Sequence, residues 1–308
     1  MLPRPLTPFI GRHQEMAELR RLWANPDCRL LTLLGPGGVG KTRLAVEFAH
    51  HESSSLPEGV FFVPLQTVSE SELLVTAVAE ALNIVLSGQA DSRIQLLNHL
   101  ADKRLLLILD NFEQLAAEAD LLSQILGHAP AVQLLVTSRA ALHLQEEWLF
   151  TLSGLPFPAA DPMPSAWPEV AEFDAAQLFV ERVSRVRPSF VAAAEQAHLL
   201  HICRLVEGIP LALELAAAWG RSLDCAAIAA EIERNLAFLT SPLRNLADRH
   251  RSMRAVFEHS WTLLTPDEQA IFQQLAVFRG GFRREAAELV AEATLLQLTA
   301  LVDKSLLR

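Results

Sequence analysis

The sequence predicts an α/β domain built on a five-stranded parallel sheet, followed by a half that is helical throughout. Three observations carry this expectation. Apolar, β-rich runs alternate with helical patterns through the first half, a glycine-rich loop joins the first run to a helix, and a proline-dense stretch then gives way to helical patterns alone.

The strand-like runs fall at 29–35, 59–65, 104–110, 132–139 and 147–155. The third is apolar without alternation from Leu105 to Leu109, as a parallel sheet covered on both faces requires. Helical patterns at 41–51, 70–86, 92–102 and 113–127 lie between the runs, and Ser69 followed by Glu72 reads as a capping box opening the second. Pro156, Pro158, Pro162, Pro164 and Pro168 then mark a linker or surface loop, because proline at that density prevents helix and ladder pairing alike. Helical patterns follow at 173–187, 194–207, 210–221, 224–235, 248–264, 266–278, 283–292 and 294–303. Thr265-Pro266-Asp267-Glu268 is a strong helix start, with a cap, a proline in the first position and an acid in the third.

Composition excludes several classes. The 308 residues carry 36 acidic and 26 basic side chains, a net charge of −10 that opposes nucleic-acid binding over most of the surface. No apolar stretch approaches the ~20 residues of a spanning helix, and the proline-rich N-terminus lacks the apolar run of a signal peptide. Cys28, Cys203 and Cys225 are odd in number and widely spaced, which argues against a disulfide framework or a zinc site and suits a cytoplasmic protein.

The strongest chemical signal is Gly35-Pro36-Gly37-Gly38-Val39-Gly40-Lys41-Thr42, a GxxxxGK[ST] loop between a strand-like run and an amphipathic helix. Glycines let successive backbone N–H groups converge on phosphate oxygens, and the helix N-terminus adds its dipole. Lys41 is positioned for the β and γ phosphates and the Thr42 hydroxyl for Mg²⁺. Asp110, at the end of the third run, is the candidate second metal-side oxygen donor. The run at 132–139 is expected between the loop strand and the Asp110 strand. That order brings Arg139 out beside the loop, where a guanidinium reads the γ-phosphate.

Together these motifs resemble the STAND class of signalling P-loop NTPases, in the NB-ARC branch shared by apoptotic ATPases and plant disease-resistance proteins. Within it the chain looks most like the ATPase module of large bacterial transcriptional regulators. The resemblance runs from Phe9-Ile10-Gly11-Arg12 through the phosphate loop, Leu105–Asp110, Thr137-Ser138-Arg139, and Gly208-Ile209-Pro210-Leu211, to Arg249-His250-Arg251-Ser252 and the final LVDKSLL. It implies three domains: nucleotide-binding at 1–155, helical at 156–238, and an incomplete winged helix at 239–308. It also implies that Ile10, Gly11 and Arg12 line the adenine and ribose side, that Pro210 packs on the base, and that Arg43 faces the nucleotide or a neighbouring subunit. The implied function is an ATP/ADP switch with Mg²⁺, self-associating on activation and joined to a helical-repeat sensor and an effector domain. From the residues alone, Gly-x-Pro is a helix stop and restart.

Two departures shape the expected chemistry. Asn111 stands where the family carries an acid after the metal-binding Asp, which leaves Glu113 as the nearest carboxylate base and predicts slow hydrolysis. The chain also reaches Arg308 without the family's Met-His-Asp motif, and reads as a truncated module or a short member. Two alternatives stand beside the switch. One is DNA contact through Arg244, Arg249, Arg251 and Arg254, which the overall charge opposes. The other is a fast-turnover initiator-type ATPase, which Asn111 opposes.

Overall fold

The computed structural model describes residues 2–53, 56–68, 71–88, 91–158, 167–240, 251–278 and 281–307. Each predicted run contains a strand: β1 Leu30–Leu34, β2 Val60–Pro64, β3 Leu106–Asp110, β4 Gln133–Ser138 and β5 Glu147–Thr151. They form one parallel sheet in the order β2-β3-β4-β1-β5, so β4 separates β1 from β3 as expected.

Burial explains the unbroken apolar runs. In β3, Leu107 and Leu109 face a core with the helices α3 Ser71–Ala81, α4 Ser92–Leu100 and α5 Asp120–His128. Leu106 and Ile108 face the opposite core, with α1 His13–Trp23 and α2 Lys41–Glu52. Alternate residues thus meet different apolar layers, and none meets water. Pro64 closes β2, an edge strand, where a missing N–H breaks no ladder.

Several helices differ from the sequence expectation. The predicted 70–86 helix stops at Ala81, because Asn83 turns left-handed (φ 58°) and the Ile84 N–H bonds back to the Ala79 carbonyl. The predicted 113–127 helix is two pieces, a 3-10 stretch Phe112–Glu118, kinked within itself at Leu115, and then α5. The tighter turn buries both Phe112 and Leu115. The helix expected at 248–264 begins within the described residues at Met253, where the Ser252 hydroxyl caps the Ala255 N–H. The Ser69 capping box lies outside the described residues.

Past the proline segment come α6 Trp167–Val170, α7 Asp174–Val186, α8 Ala192–Leu205, α9 Pro210–Ala218 and α10 Cys225–Arg234, sharing one apolar core. Next are α11 Met253–Thr262, α12 Pro266–Leu275, α13 Arg284–Ala291 and α14 Leu295–Asp303, with a smaller core around Leu264, Ile271, Leu275 and Leu301. The Thr265–Glu268 capping box forms in full, with Glu268 accepting from the Thr265 N–H at 2.7 Å. Among the described residues no strand follows Thr151; an isolated bridge joins Thr240 and Ser252. Cys28, Cys203 and Cys225 are free thiols in apolar cores, and burial raises Cys28 to about 11 and Cys203 to about 12.

The α/β and helical units meet where two glycine backbones touch. The Leu155 N–H donates to the Gly208 carbonyl at 2.8 Å, and a Cβ on Gly208 would strike the Leu155 carbonyl. One on Gly154 would strike the Glu207 carbonyl. Gly208 also adopts φ 64°, where a side chain costs ~1–2 kcal/mol before any clash. Gly208→Ala is therefore expected to lower unfolding stability by at least ~1–2 kcal/mol. Gly127→Ala, in α5 with open space around its Cβ position, is expected to raise it by ~0.5–1 kcal/mol. Denaturant melts of both variants check the pair, and equal effects would refute the crossing as the cause.

Candidate functional site

The phosphate loop connects β1 to α2, and its residues Gly37–Thr42 form one wall of a cavity of about 310 Å³. Lys41 extends from the first turn of α2 and donates through Nζ to the Gly35 carbonyl at 2.6 Å and the Pro36 carbonyl at 3.1 Å. Next to it, the Thr42 hydroxyl donates to Asp110 Oδ1 at 2.6 Å, and the same oxygen accepts from Thr137 Oγ1 at 2.7 Å. Thr137, on β4, holds the Asn111 N–H at 3.0 Å and so fixes the end of β3. A hydroxyl and a carboxylate in contact at the end of the sheet are two hard oxygen donors, the set that suits Mg²⁺. Among the described residues no group of three or more His, Cys, Asp or Glu side chains gathers as a metal site.

Arg139 leaves β4 beside this loop, and its guanidinium is 3.0 Å from where a Cβ on Gly37 would sit. It is only 5% exposed. Its Nε lies 3.2 Å from Glu113 Oε1, and its Nη1 donates to the Val256 carbonyl at 3.0 Å and to the Ser260 hydroxyl on α11. Glu113 is almost fully buried as well. Burial by itself would raise its pKa, but the nearby His259 ring, 3.8 Å away, and the charges of Lys41 and Arg139 outweigh burial and bring it to about 2. The Asn111 side-chain amide also donates to Glu113, at 3.3 Å, and Glu113 Oε2 has no hydrogen-bond partner. Glu113 does not line the main cavity. With Gln66, Asn111, Gln114 and His259 it lines a second one of about 200 Å³, and Asn111 borders both.

The N-terminal segment forms the other end of the main cavity. Ile10 lines it with Thr7, Pro8 and Phe9. Arg12 lines it too, but its guanidinium is engaged by the Val39 carbonyl at 3.1 Å, the Ser153 carbonyl at 2.6 Å and the Glu15 carboxylate. Its backbone N–H donates to Asp174 Oδ2 at 2.9 Å, tying this segment to α7. Arg43 bonds the Thr7 carbonyl and lies over the Phe9 ring, with its pKa lowered chiefly by burial. Gly11 and Pro36 are not among the lining residues.

Pro210 opens α9 against the phosphate loop, and the Leu211 N–H donates to the Gly38 carbonyl at 3.2 Å. The helical unit adds Leu178, Arg182 and Glu214 to the cavity wall. Sequence reasoning missed the last two. They form an ion pair at 2.9 Å between α7 and α9, 32 residues apart, and no local pattern announces it. Of the basic residues considered for DNA, Arg254 pairs with Glu258 on an exposed face, while Arg244 and Arg249 lie outside the described residues.

Comparison with known proteins agrees with this geometry. The family model of the NACHT domain matches residues 29–158. A Mycobacterium tuberculosis protein named as an HTH-type transcriptional regulator is 36% identical over 287 residues, covering 90% of this chain and 31% of that protein. The chain thus spans about a third of the length of that relative. An uncharacterized protein of the same organism is 31% identical over 312 residues, covering 98% of this chain and 75% of that protein. Among solved structures, the Aeropyrum pernix ORC2 protein shares the fold, with a TM-score of 0.55 and 14% identity over 97% of this chain and 88% of that one.

The loop geometry predicts that Lys41→Ala weakens ATP binding at least tenfold, equivalent to ~1.4 kcal/mol, by removing charge-assisted bonds to the phosphates. Calorimetric titration of the folded variant checks this, and unchanged affinity would reject the phosphate role of the loop.

Proposed function

Because the chain belongs to the STAND class of P-loop NTPases, we propose that it is the nucleotide-binding ATPase module of a signalling or transcription-regulating protein, switching between ADP-bound and ATP-bound arrangements. One observation carries the reading. The cavity beside the phosphate loop is walled by three stretches of chain: the N-terminal segment, the loop with the ends of β3 and β4, and α7 with α9 of the helical unit. A ligand there touches separate units at once, and different contacts in two arrangements are what a ligand needs to shift an equilibrium between them.

The residues divide the work along the cavity. Ile10 and Pro210 hold the base end, while Gly11 and Arg12 brace the entry segment against α7 and the loop. Gly37, Gly38, Val39 and Gly40 offer backbone N–H groups to the phosphates, Pro36 shapes the turn into them, and Lys41 takes the β and γ oxygens. Thr42 and Asp110 would hold Mg²⁺, which when bound neutralises charge on the β and γ phosphate oxygens. Arg139 answers to the γ-phosphate. Arg43 supports the base end through Thr7 and Phe9. We read α11 to α14 as the helical part of a winged-helix unit, 1–155 and 156–238 as the two units before it, and self-association, a sensor and an effector domain as properties of the longer protein. Arg254 is spent on Glu258 and the net charge is −10, so DNA contact by this chain is not part of the reading.

Hydrolysis is expected to be slow. Glu113 is ionised but weakly basic, and it is already paired with Arg139, while Asn111 cannot accept a proton. Four outcomes follow. ADP is expected in the purified protein, detectable by mass spectrometry after denaturation, and a consistently empty site would count against a closed ADP state. Steady-state turnover is expected below ~10 s⁻¹, the median for enzymes. Asn111→Asp is expected to raise it by adding a base. Glu113→Gln is expected to lower it by ~10²-fold or more if Glu113 takes the proton. Turnover well above ~10 s⁻¹ in the unaltered chain would favour the fast initiator-type alternative.

A further inference from the structure

The wall that α7 and α9 give the main cavity carries an ion pair to which the phosphate chemistry assigns no work. Glu214 lies one turn beyond Pro210 on α9, ~6 Å farther along the axis, and both side chains line the cavity. The start of that helix is clamped to the phosphate loop. The Leu211 N–H donates to the Gly38 carbonyl, and Pro210 Cγ is 3.9 Å from where a Cβ on Gly40 would sit. Arg182 reaches Glu214 from α7, donating to its Oε1 through Nε at 3.0 Å and through Nη2 at 2.9 Å. Arg182 Nη1 is taken by Glu181, which Arg185 also holds, so two cations and two anions cancel. Both bonds to Glu214 fall on one oxygen. Among the described residues its Oε2 accepts no hydrogen bond, and the side chain stays 37% exposed where it lines the cavity.

We propose that Glu214 selects the sugar of the bound nucleotide, its Oε2 accepting hydrogen bonds from ribose hydroxyls, with Arg182 as the positioning residue that holds the carboxylate for them. The inference rests on the nucleotide reading above. A nucleotide with its phosphates on the loop N–H groups and its base against Ile10 and Pro210 has one polar unit between them, the sugar. Ribose hydroxyls donate and a carboxylate only accepts, which is why an acidic side chain meets the ribose 2′-OH in dinucleotide-binding sites. A lone carboxylate would repel a polyphosphate. Here Arg182 cancels the charge and leaves the acceptor in place. Its guanidinium is a rigid fork, so two donors on Oε1 fix the carboxylate and with it the position of Oε2. A nucleotide without the hydroxyls gives up a hydrogen bond to a charged group, and the cavity thereby prefers ribonucleotides to their deoxy forms.

Calorimetry on the full chain tests this, using ADP and 2′,3′-dideoxyADP as probes. The readout is the ratio of the two affinities, because a change in the charge of the wall alters both nucleotides alike. The unaltered chain is expected to prefer ADP by about tenfold or more, and Glu214→Ala to bring the ratio close to one. Arg182→Ala is expected to lower the ratio as well, and to lower it no further once Glu214 is also replaced by Ala. Equal affinities in the unaltered chain, or a ratio that survives Glu214→Ala, overturn the proposal while leaving the nucleotide site standing. A further fall on adding Arg182→Ala to Glu214→Ala overturns the positioning role. Failure of the unaltered chain to bind either nucleotide overturns the site itself. Should Glu214→Ala fail to fold, Glu214→Gln decides, since it keeps the shape and turns a charge-assisted bond into a neutral one. The ratio is then expected to fall severalfold, and an unchanged ratio refutes the proposal.

Discussion

The carbonyl groups of the phosphate loop govern how the rest of the chain is arranged around it. A loop that turns its N–H groups toward an anion directs its carbonyls elsewhere, and buried carbonyls need donors. Here the donors come from distant parts of the sequence. Lys41 serves Gly35 and Pro36, the Leu211 N–H serves Gly38, and Arg12 serves Val39. The entry segment and the helical unit are thereby bound to the loop by the same hydrogen-bond requirement that shapes it. Binding chemistry and interdomain contact are one structure seen from its two sides.

This explains which parts of the fold were legible in the sequence. The strands were, because each had to satisfy two apolar layers and so could not hide its pattern; all five lie within the expected runs. Helix α12 was legible through its cap, Thr265 with Glu268. Helix α1 was not foreseen. Its N-cap is Arg12 in a left-handed conformation with no side-chain cap, so the usual polar start signal is missing. The kink at Leu115 was equally silent, because it answers to burial in the sheet core rather than to local propensity.

The candidate site divides the same way. Lys41, Thr42 and Asp110 were readable as a group because the loop's spacing and the end of an apolar strand mark their positions in the sequence. The contact of Thr42 with Asp110 then brings the loop and the end of β3 together. What surrounds Arg139 was not readable. Its partners Val256 and Ser260 stand 117 and 121 residues away, on a helix whose sequence shows an ordinary amphipathic pattern. The Arg182–Glu214 pair is hidden for the same reason. Long-range polar contacts between units leave no periodic trace, since each partner looks like a surface charge in its own helix.

The glycine crossing between Leu155 and Gly208 bears on how such modules can be recombined. Two backbones that meet without side chains form a seam whose fit lies half in each piece, at Gly154 and at Gly208. A helical unit transplanted onto a foreign α/β unit brings only half of that seam. If the recipient offers any side chain at the position of Gly154, it becomes a spacer that lifts α9 from the phosphate loop and strips the Gly38 carbonyl of its donor. Chimeras cut in the proline-rich segment therefore need a recipient with its own glycine there, or a cut upstream of Gly154 so that both glycines travel together.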